Sequence, residues 1–479
     1  MPAPLLFIGL PVVLAFVLLG LSSRRLRLSA WGPFDRSLAL AAAIGAVALA
    51  GVGLVLPLDT RVLWGRAVFS SSFAVLGRTL AIGPADRVSL ALMFGEGALL
   101  FLAAGVFGAG RFYLPVGLTT LGLLAAALFV RPFVFAAVFL ELAAAAAVLM
   151  LVDETHREIR GAWRFLAIVT LAMPFILLSG WLLESTAASP DDTGLMFQTA
   201  LTLGVGFAIL LAVVPFQSWV PLVAEKAPPL ASAFVFVILQ QAVVSLLLTF
   251  LQAYPWLSRN PVVDRTLTVL GGGMVAVGAL FAFGQRNFGR ALGYAMLIDI
   301  GAVVLALGLG TQEGVAAALT ALTLRGVALT LWAIGCDQLR RAAGGDDFEA
   351  VRGLAQRYPL ASAAVIFGLL SLVGFPLTVG FPGRWALIRL LAQTHPTGAI
   401  VLLLGMASVS FVGTRGLAAL LSPREGQPAG FSLAGVQEKP RVMLVYGLGL
   451  AVILVLGAFP QWLLPAVAQA AAVFTRAGP

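Results

Sequence analysis

The ionisable residues that stand as mid-span candidates in the long apolar stretches of this chain are Glu96, Glu141, Asp299, Arg325, Arg384 and Arg415. A charge near the centre of a bilayer costs roughly 2.5–3.5 kcal/mol even on insertion scales, so each needs a reason to be there. Glu141, in FVFAAVFLELAAAAAV, has no charged neighbour. Such a carboxyl either takes up and releases a proton during transport or stays neutral and bonds to a neighbouring helix. Asp299, in GYAMLIDIGAVV, lies deep in its segment and invites the same two readings. Glu96 is expected near the start of its span, at the membrane interface. Arg325, in ALTALTLRGVALTLW, keeps its proton, so it can hold a carboxylate or set an electrostatic barrier but cannot relay a proton by titrating. Glu141 or Asp299 is its expected partner. Arg384 sits in a proline-broken stretch where a water-filled cavity would solvate it, and Arg415 is expected to snorkel from near a helix end.

The elements that position these residues follow from composition. The 479 residues are 60% hydrophobic and 11% charged, with mean hydropathy +1.02. A soluble chain carries about 25% charged residues. Lacking them, this chain must turn its outer surface to lipid. Backbone groups in lipid have to be satisfied internally, by helices or a closed barrel. The apolar stretches show no two-residue alternation, so helices are expected. Segments long enough to span number about fourteen: 4–22, 37–57, 88–108, 112–130, 132–152, 162–183, 195–215, 230–252, 265–284, 291–310, 314–335, 360–391, 397–420 and 441–463.

The first of these, Pro4 to Leu21, has Arg24, Arg25 and Arg27 after it rather than before it, so it reads as a retained helix and not a signal peptide. The net charge of +9 is carried mostly by loop arginines, which set topology and give no reason to expect nucleic acid. The greater share, including Arg157, Arg160, Arg340, Arg341, Arg352 and Arg357, falls on one side. Both termini are therefore expected on the outer side of the inner (cytoplasmic) membrane. The stretch 58–87, with Arg61, Arg66, Arg78 and Arg87, is too polar to span and is expected to fold outside the membrane. Three parts result: 1–87, N-terminal helices and this connection; 88–440, the transmembrane core; and 441–479, a C-terminal helix. The loops are too short for a soluble catalytic domain, His156 and His395 both lie in loops, and Cys336 stands alone. No catalytic residue, metal site or cofactor is therefore expected on the chain.

Two stretches depart from plain spans. Val213–Ala233, VVPFQSWVPLVAEKAPPLASA, holds Pro215, Pro221, Pro228 and Pro229; Gly374–Trp385, GFPLTVGFPGRW, holds Pro376 and Pro382. Proline removes a backbone donor and breaks the helix ladder. Paired breaks point to a transport path between repeats, and a single break to an ordinary kink.

The first of these stretches resembles the signature of the antiporter-like subunits of respiratory complex I, Pro-Phe-His-x-Trp-Leu-Pro followed by Ala-Pro-Thr-Pro. Pro215, Phe216, Trp219, Pro221, Ala227 and Pro228 match, and Gln217 replaces the histidine. RNFGRALGYAMLIDIGAVVLALG is similar to that family's Lys-Arg-x-x-Ala-Tyr-Ser-Ser-x-x-His-x-Gly stretch through Arg290, Tyr294 and Gly301, with Asp299 at the histidine. GLAQRYPLASAAVIFGLLSLVGFPLTVGFPGRWALI resembles its Pro-x-x-Gly-Phe-x-Gly-Lys-Phe region, and Glu141 falls at its transmembrane glutamate. The similarity runs from about residue 88 to 440. It implies an all-α membrane fold with two inverted five-helix repeats, each holding a broken helix. It also implies kinship with membrane-bound hydrogenase and multi-subunit sodium/proton antiporter subunits. Partners would be other membrane subunits of a multi-subunit complex and the lipid bilayer.

The resemblance also exposes departures. The chain's lysines are Lys226 and Lys439, neither within an apolar span. Where the family pairs a lysine with its glutamate stands Leu210; at the next central lysine stands Gln241, beside Gln240. Arg325 and Arg384 occupy positions that hold histidine and lysine or glutamate in relatives. Three functions stay open: a proton-translocating subunit of a complex I-related assembly, a subunit of a cation/proton antiporter or inorganic-carbon uptake system, and a non-pumping anchor. In the first, Glu141 and Asp299 carry protons, Gln240 and Gln241 organise water, and Arg325 and Arg384 tune them as fixed charges.

Overall fold

A long apolar stretch in lipid satisfies its backbone by coiling, and the computed structural model is built almost entirely from such helices. It describes residues 2–23, 33–62, 67–75, 77–152, 158–189, 191–423 and 435–474. Arg24, Arg25, Arg27, Arg66, His156 and Arg157, which the sequence assigns to loops, lie outside the described residues. Helices α1 (Ala3–Ser23) and α2 (Pro33–Val55) precede strands β1 (Arg61–Val62), β2 (Ala67–Val68), β3 (Ser72–Val75) and β4 (Arg78–Ala81). Next come α3 (Pro84–Phe107), α4 (Tyr113–Phe129), β5 (Val130–Arg131), α5 (Ala136–Leu151), α6 (Arg160–Ala188) and α7 (Thr193–Leu210). The chain continues through α8 (Trp219–Lys226), α9 (Pro229–Phe234), a π-helical turn (Val235–Leu239) and α10 (Gln240–Ala253). It ends with α11 (Pro255–Ser258), α12 (Pro261–Phe283), α13 (Phe288–Leu307), α14 (Gln312–Ala343), α15 (Pro359–Val373), α16 (Phe381–Thr394), α17 (Pro396–Leu421), α18 (Pro440–Ala458) and α19 (Leu464–Val473).

Among the described residues, 12 helices are long and apolar enough to cross a membrane. Each falls on an expected span. Of the remaining two expected spans, 112–130 is the 17-residue α4 and 360–391 is divided into α15 and α16 by a turn. Within 58–87, β3 and β4 pair antiparallel, and β5 from farther along the chain joins them, with Phe73 opposite Leu80 and Leu80 opposite Val130. Large apolar side chains such as Phe16, Ile44, Trp163, Trp181, Phe197 and Leu280 are exposed, the surface that lipid covers in a multi-pass membrane protein.

The chain forms two compact units. One comprises Met1–Ala212 with Phe234–Leu257, and the other Val213–Ala233 with Ser258–Pro479. In the first, α1 packs on α4, α2 on α3, and α10 on α3, α4 and α7. In the second, α13 is the hub, packed on α8, α12, α14, α15 and α17. A Cβ on Gly293 would lie 2.3 Å from the Pro221 Cα, and one on Gly289 would lie 2.6 Å from the Ala224 carbonyl. Glycine at these two positions, one turn apart, is what lets α13 touch the backbone of α8.

The N-terminus of α15 is closed from a distance. Its first N–H groups have no intrahelical acceptor. Glu438 supplies one, its Oε1 accepting from Ala361 N at 2.8 Å and its Oε2 from Leu360 N at 3.3 Å. Burial pushes the Glu438 carboxyl up, and these two N–H groups oppose the shift. Glu438→Ala is expected to lower the detergent unfolding midpoint, at a cost of about 1 kcal/mol. Intrinsic-fluorescence melts check this; an unchanged midpoint would show that the cap contributes nothing.

Candidate functional site

The second unit brings three of the sequence candidates together. Asp299 on α13 faces Arg325 on α14 and Arg384 on α16. Its Oδ2 lies 3.4 Å from Arg325 Nη1, and its Oδ1 accepts from Arg384 Nη2. The three side chains are between 1% and 3% exposed. Arg384 Nη2 also donates to the Leu372 carbonyl at the end of α15, at 3.3 Å. Of the two partners expected for Arg325, the structure supplies Asp299. For Arg384 it departs from expectation: the guanidinium is buried against a carboxylate, not solvated in a water-filled cavity.

The backbone break makes this possible. Gly374 closes α15 with φ +80°, and a Cβ there would overlap the Arg384 side chain. A Cβ on Gly380 would overlap the Ser371 carbonyl. Pro376 lies in the turn between the half-helices and Pro382 in the first turn of α16, where its missing N–H costs nothing. The other break has the same ingredients. Pro215 and a short 3-10 turn separate α7 from α8. Trp219 opens α8 fully buried, Pro221 lies in its first turn, and Pro228 stands between α8 and α9.

A half-helix ends in carbonyls that have no partner of their own. At the end of α8 that partner is Arg340, which the sequence assigns only to topology. Its Nη2 donates to the Ala224 and Glu225 carbonyls, each at 3.0 Å, and its Nη1 to Ala227 at 2.9 Å. Asp346 holds the guanidinium from the other side at 2.6 Å, while accepting from Gly289 N and Asn287 Nδ2. Glu225 pairs with both Arg290 and Lys226. No sequence pattern marks Arg340 and Asp346; the one available signal is that a break at 213–233 leaves carbonyls to be capped. Arg415, expected to snorkel, donates to the Phe283 carbonyl at 3.3 Å and sits 5.7 Å from the Phe411 ring.

In the first unit Glu141 lies partway along α5, half-buried, and accepts from Thr170 Oγ1 on α6 at 2.6 Å. It borders a cavity of ≈ 10 Å³, about the size one water needs. Leu210, at the last turn of α7, lines the same cavity. The resemblance pairs a lysine with the glutamate at this position, so the substitution leaves an apolar wall there. Gln240 and Gln241 open α10 directly after the π-helical turn, 0% and 1% exposed. Their amide atoms, and Ser245 Oγ, have no hydrogen-bond partner among the described residues. Buried amides of this kind are satisfied by ordered water. Glu96 corrects an expectation. Because α3 begins at Pro84, Glu96 lies midway along it and is 8% exposed, not at the interface.

The family described as "NADH:quinone oxidoreductase/Mrp antiporter, TM" matches residues 182–410, which include both breaks and the whole Asp299 cluster. The NADH-quinone oxidoreductase subunit N of Chromohalobacter salexigens is 29% identical over 330 residues, covering 64% of this chain and 68% of that one. Subunit N of Desulforudis audaxviator is 28% identical over 417 residues, covering 80% and 79%. Over residues 182–410 the chain is similar to the antiporter-like family of membrane subunits. A chain of the archaeal membrane-bound sulfane sulfur reductase shares the fold, with TM-score 0.77 at 20% identity over 98% of this chain and 97% of that one.

At the centre of the second unit's site is the doubly held carboxylate of Asp299. Asp299→Leu would leave two buried guanidiniums facing each other, at a cost of about 3–5 kcal/mol. Adding Arg325→Met and Arg384→Met is expected to recover most of that loss, because apolar replacement of a whole buried cluster is near neutral. Folded yield by fluorescence-detected gel filtration reads both. Wild-type yield from Asp299→Leu alone would show that the cluster does not hold these helices.

Proposed function

We propose that this chain is the antiporter-like membrane subunit of an assembly related to NADH:quinone oxidoreductase, in which electron transfer on partner subunits drives proton translocation. It lies in the cytoplasmic membrane with both termini on the outer side. Each of its two broken-helix repeats contributes part of the path. The observation that carries this reading is Glu141: a carboxyl on a spanning helix, held by the Thr170 hydroxyl, beside a water-sized cavity. Glu141 is the primary proton carrier, and water held by the buried amides of Gln240 and Gln241 extends the path in that unit. Asp299 is the second carrier and a gated one. Its oxygens face Arg325 and Arg384, so it accepts a proton only when a guanidinium moves off. The two arginines keep their own protons throughout and act as fixed charges.

Relatives named as NADH-quinone oxidoreductase subunits favour this over ion exchange without redox chemistry. A non-pumping anchor is favoured by one observation, Leu210 in the cavity beside Glu141, since leucine carries no proton.

The test uses the intact assembly in proteoliposomes with a pH-sensitive dye. Glu141→Gln is expected to abolish proton uptake while electron transfer persists. Unchanged flux would sink the carrier assignment. Full activity after Glu141→Gln, Arg325→Met and Arg384→Met together would establish the anchor reading instead. Sodium-dependent pH changes without any electron donor would point to ion exchange.

A further inference from the structure

A cleft of ≈ 550 Å³ in the second unit lies away from the Asp299 cluster, bordered by the starts of α12 and α17 and the end of α13. Asp264, Arg265 and His395 line its mouth, and Val269, Leu305 and Val401 line it farther in. The lining runs along α12 from Pro261 to Gly272, a depth of about 16 Å at the rise of an α-helix. Side chains therefore pass from charged to apolar along the direction of a membrane-spanning helix, starting where that helix begins. A globular protein partner has no reason to match such a gradient, whereas a lipid has a charged head and an apolar chain in this order.

The charges at the mouth select among lipid heads. Arg265 can donate two hydrogen bonds to a phosphate, with the His395 imidazole as a further donor. Asp264 stands beside Arg265 in the first turn of α12. Its carboxylate repels a purely anionic head and favours an ammonium. A primary ammonium offers three N–H donors to it, while a quaternary ammonium offers none. We propose that this cleft binds one zwitterionic phospholipid with a primary ammonium head, phosphate on Arg265 and His395, ammonium on Asp264, and one acyl chain against Val269, Leu305 and Val401. The inference is independent of whether the chain moves protons.

The full-length protein, purified in mild detergent and stripped of lipid, is titrated with phosphatidylethanolamine, phosphatidylcholine and phosphatidylglycerol of identical acyl chains, with binding read by native mass spectrometry. Phosphatidylethanolamine is expected to bind in one copy, about tenfold tighter than the other two, the ratio one charge-assisted hydrogen bond supplies. Arg265→Ala should weaken all binding, and Asp264→Asn should bind phosphatidylethanolamine and phosphatidylcholine alike. Both side chains lie near the start of a helix, and melts check that the variants fold; His395→Ala repeats the phosphate test on a different element. Equal binding of the three lipids to the wild type, no saturable site, or unchanged selectivity in Asp264→Asn would overturn the proposal.

Discussion

A charge that must remain a charge inside a membrane has to be matched by another, and in this protein one carboxylate matches two. Asp299 joins α13, α14 and α16 through Arg325 and Arg384, with every member buried. Removing water from such ions costs several kcal/mol each, which mutual attraction repays only in good geometry. That demand reaches into the backbone. Arg384 gets to Asp299 across the break after α15, and it does so because Gly374 adopts a left-handed conformation and carries no side chain. Cluster and break thus support each other: the turn admits the arginine, and the ion pair fixes α16 against α13.

The same economy of polar groups governs α8. Its eight residues are too few to be stable alone. They are held by tight backbone contact with Gly289 and Gly293 and by Arg340 across their terminal carbonyls. Asp346 then balances Arg340. In the first unit the polar groups are of another kind. Glutamines stand at the head of α10, and their buried amides have no hydrogen-bond partner among the described residues.

Hydrophobic length placed the spans, because nothing but a helix lets twenty apolar residues sit in lipid, and the prolines located both breaks. Charge inside apolar stretches singled out Glu141, Asp299, Arg325 and Arg384, without distances. Three things were out of reach. Glu96 was misplaced because α3 starts at Pro84, within a stretch whose polarity read as connection. Arg384 was expected in water because sequence cannot show that Gly374 opens a route to Asp299. Arg340 looked like one loop arginine among many, since the carbonyls it caps lie more than a hundred residues earlier (Arg340 to Ala224, 116 residues).

On the proposed function, this chain is one membrane subunit of a larger electron-transfer assembly whose driving chemistry lies on other subunits. Mild-detergent extraction from native membranes, followed by mass spectrometry of whatever co-migrates, tests that most directly. The account predicts flavin, iron–sulfur or quinone-reactive subunits in stoichiometric amounts. A chain that migrates alone, or only with other antiporter-like chains, would contradict it.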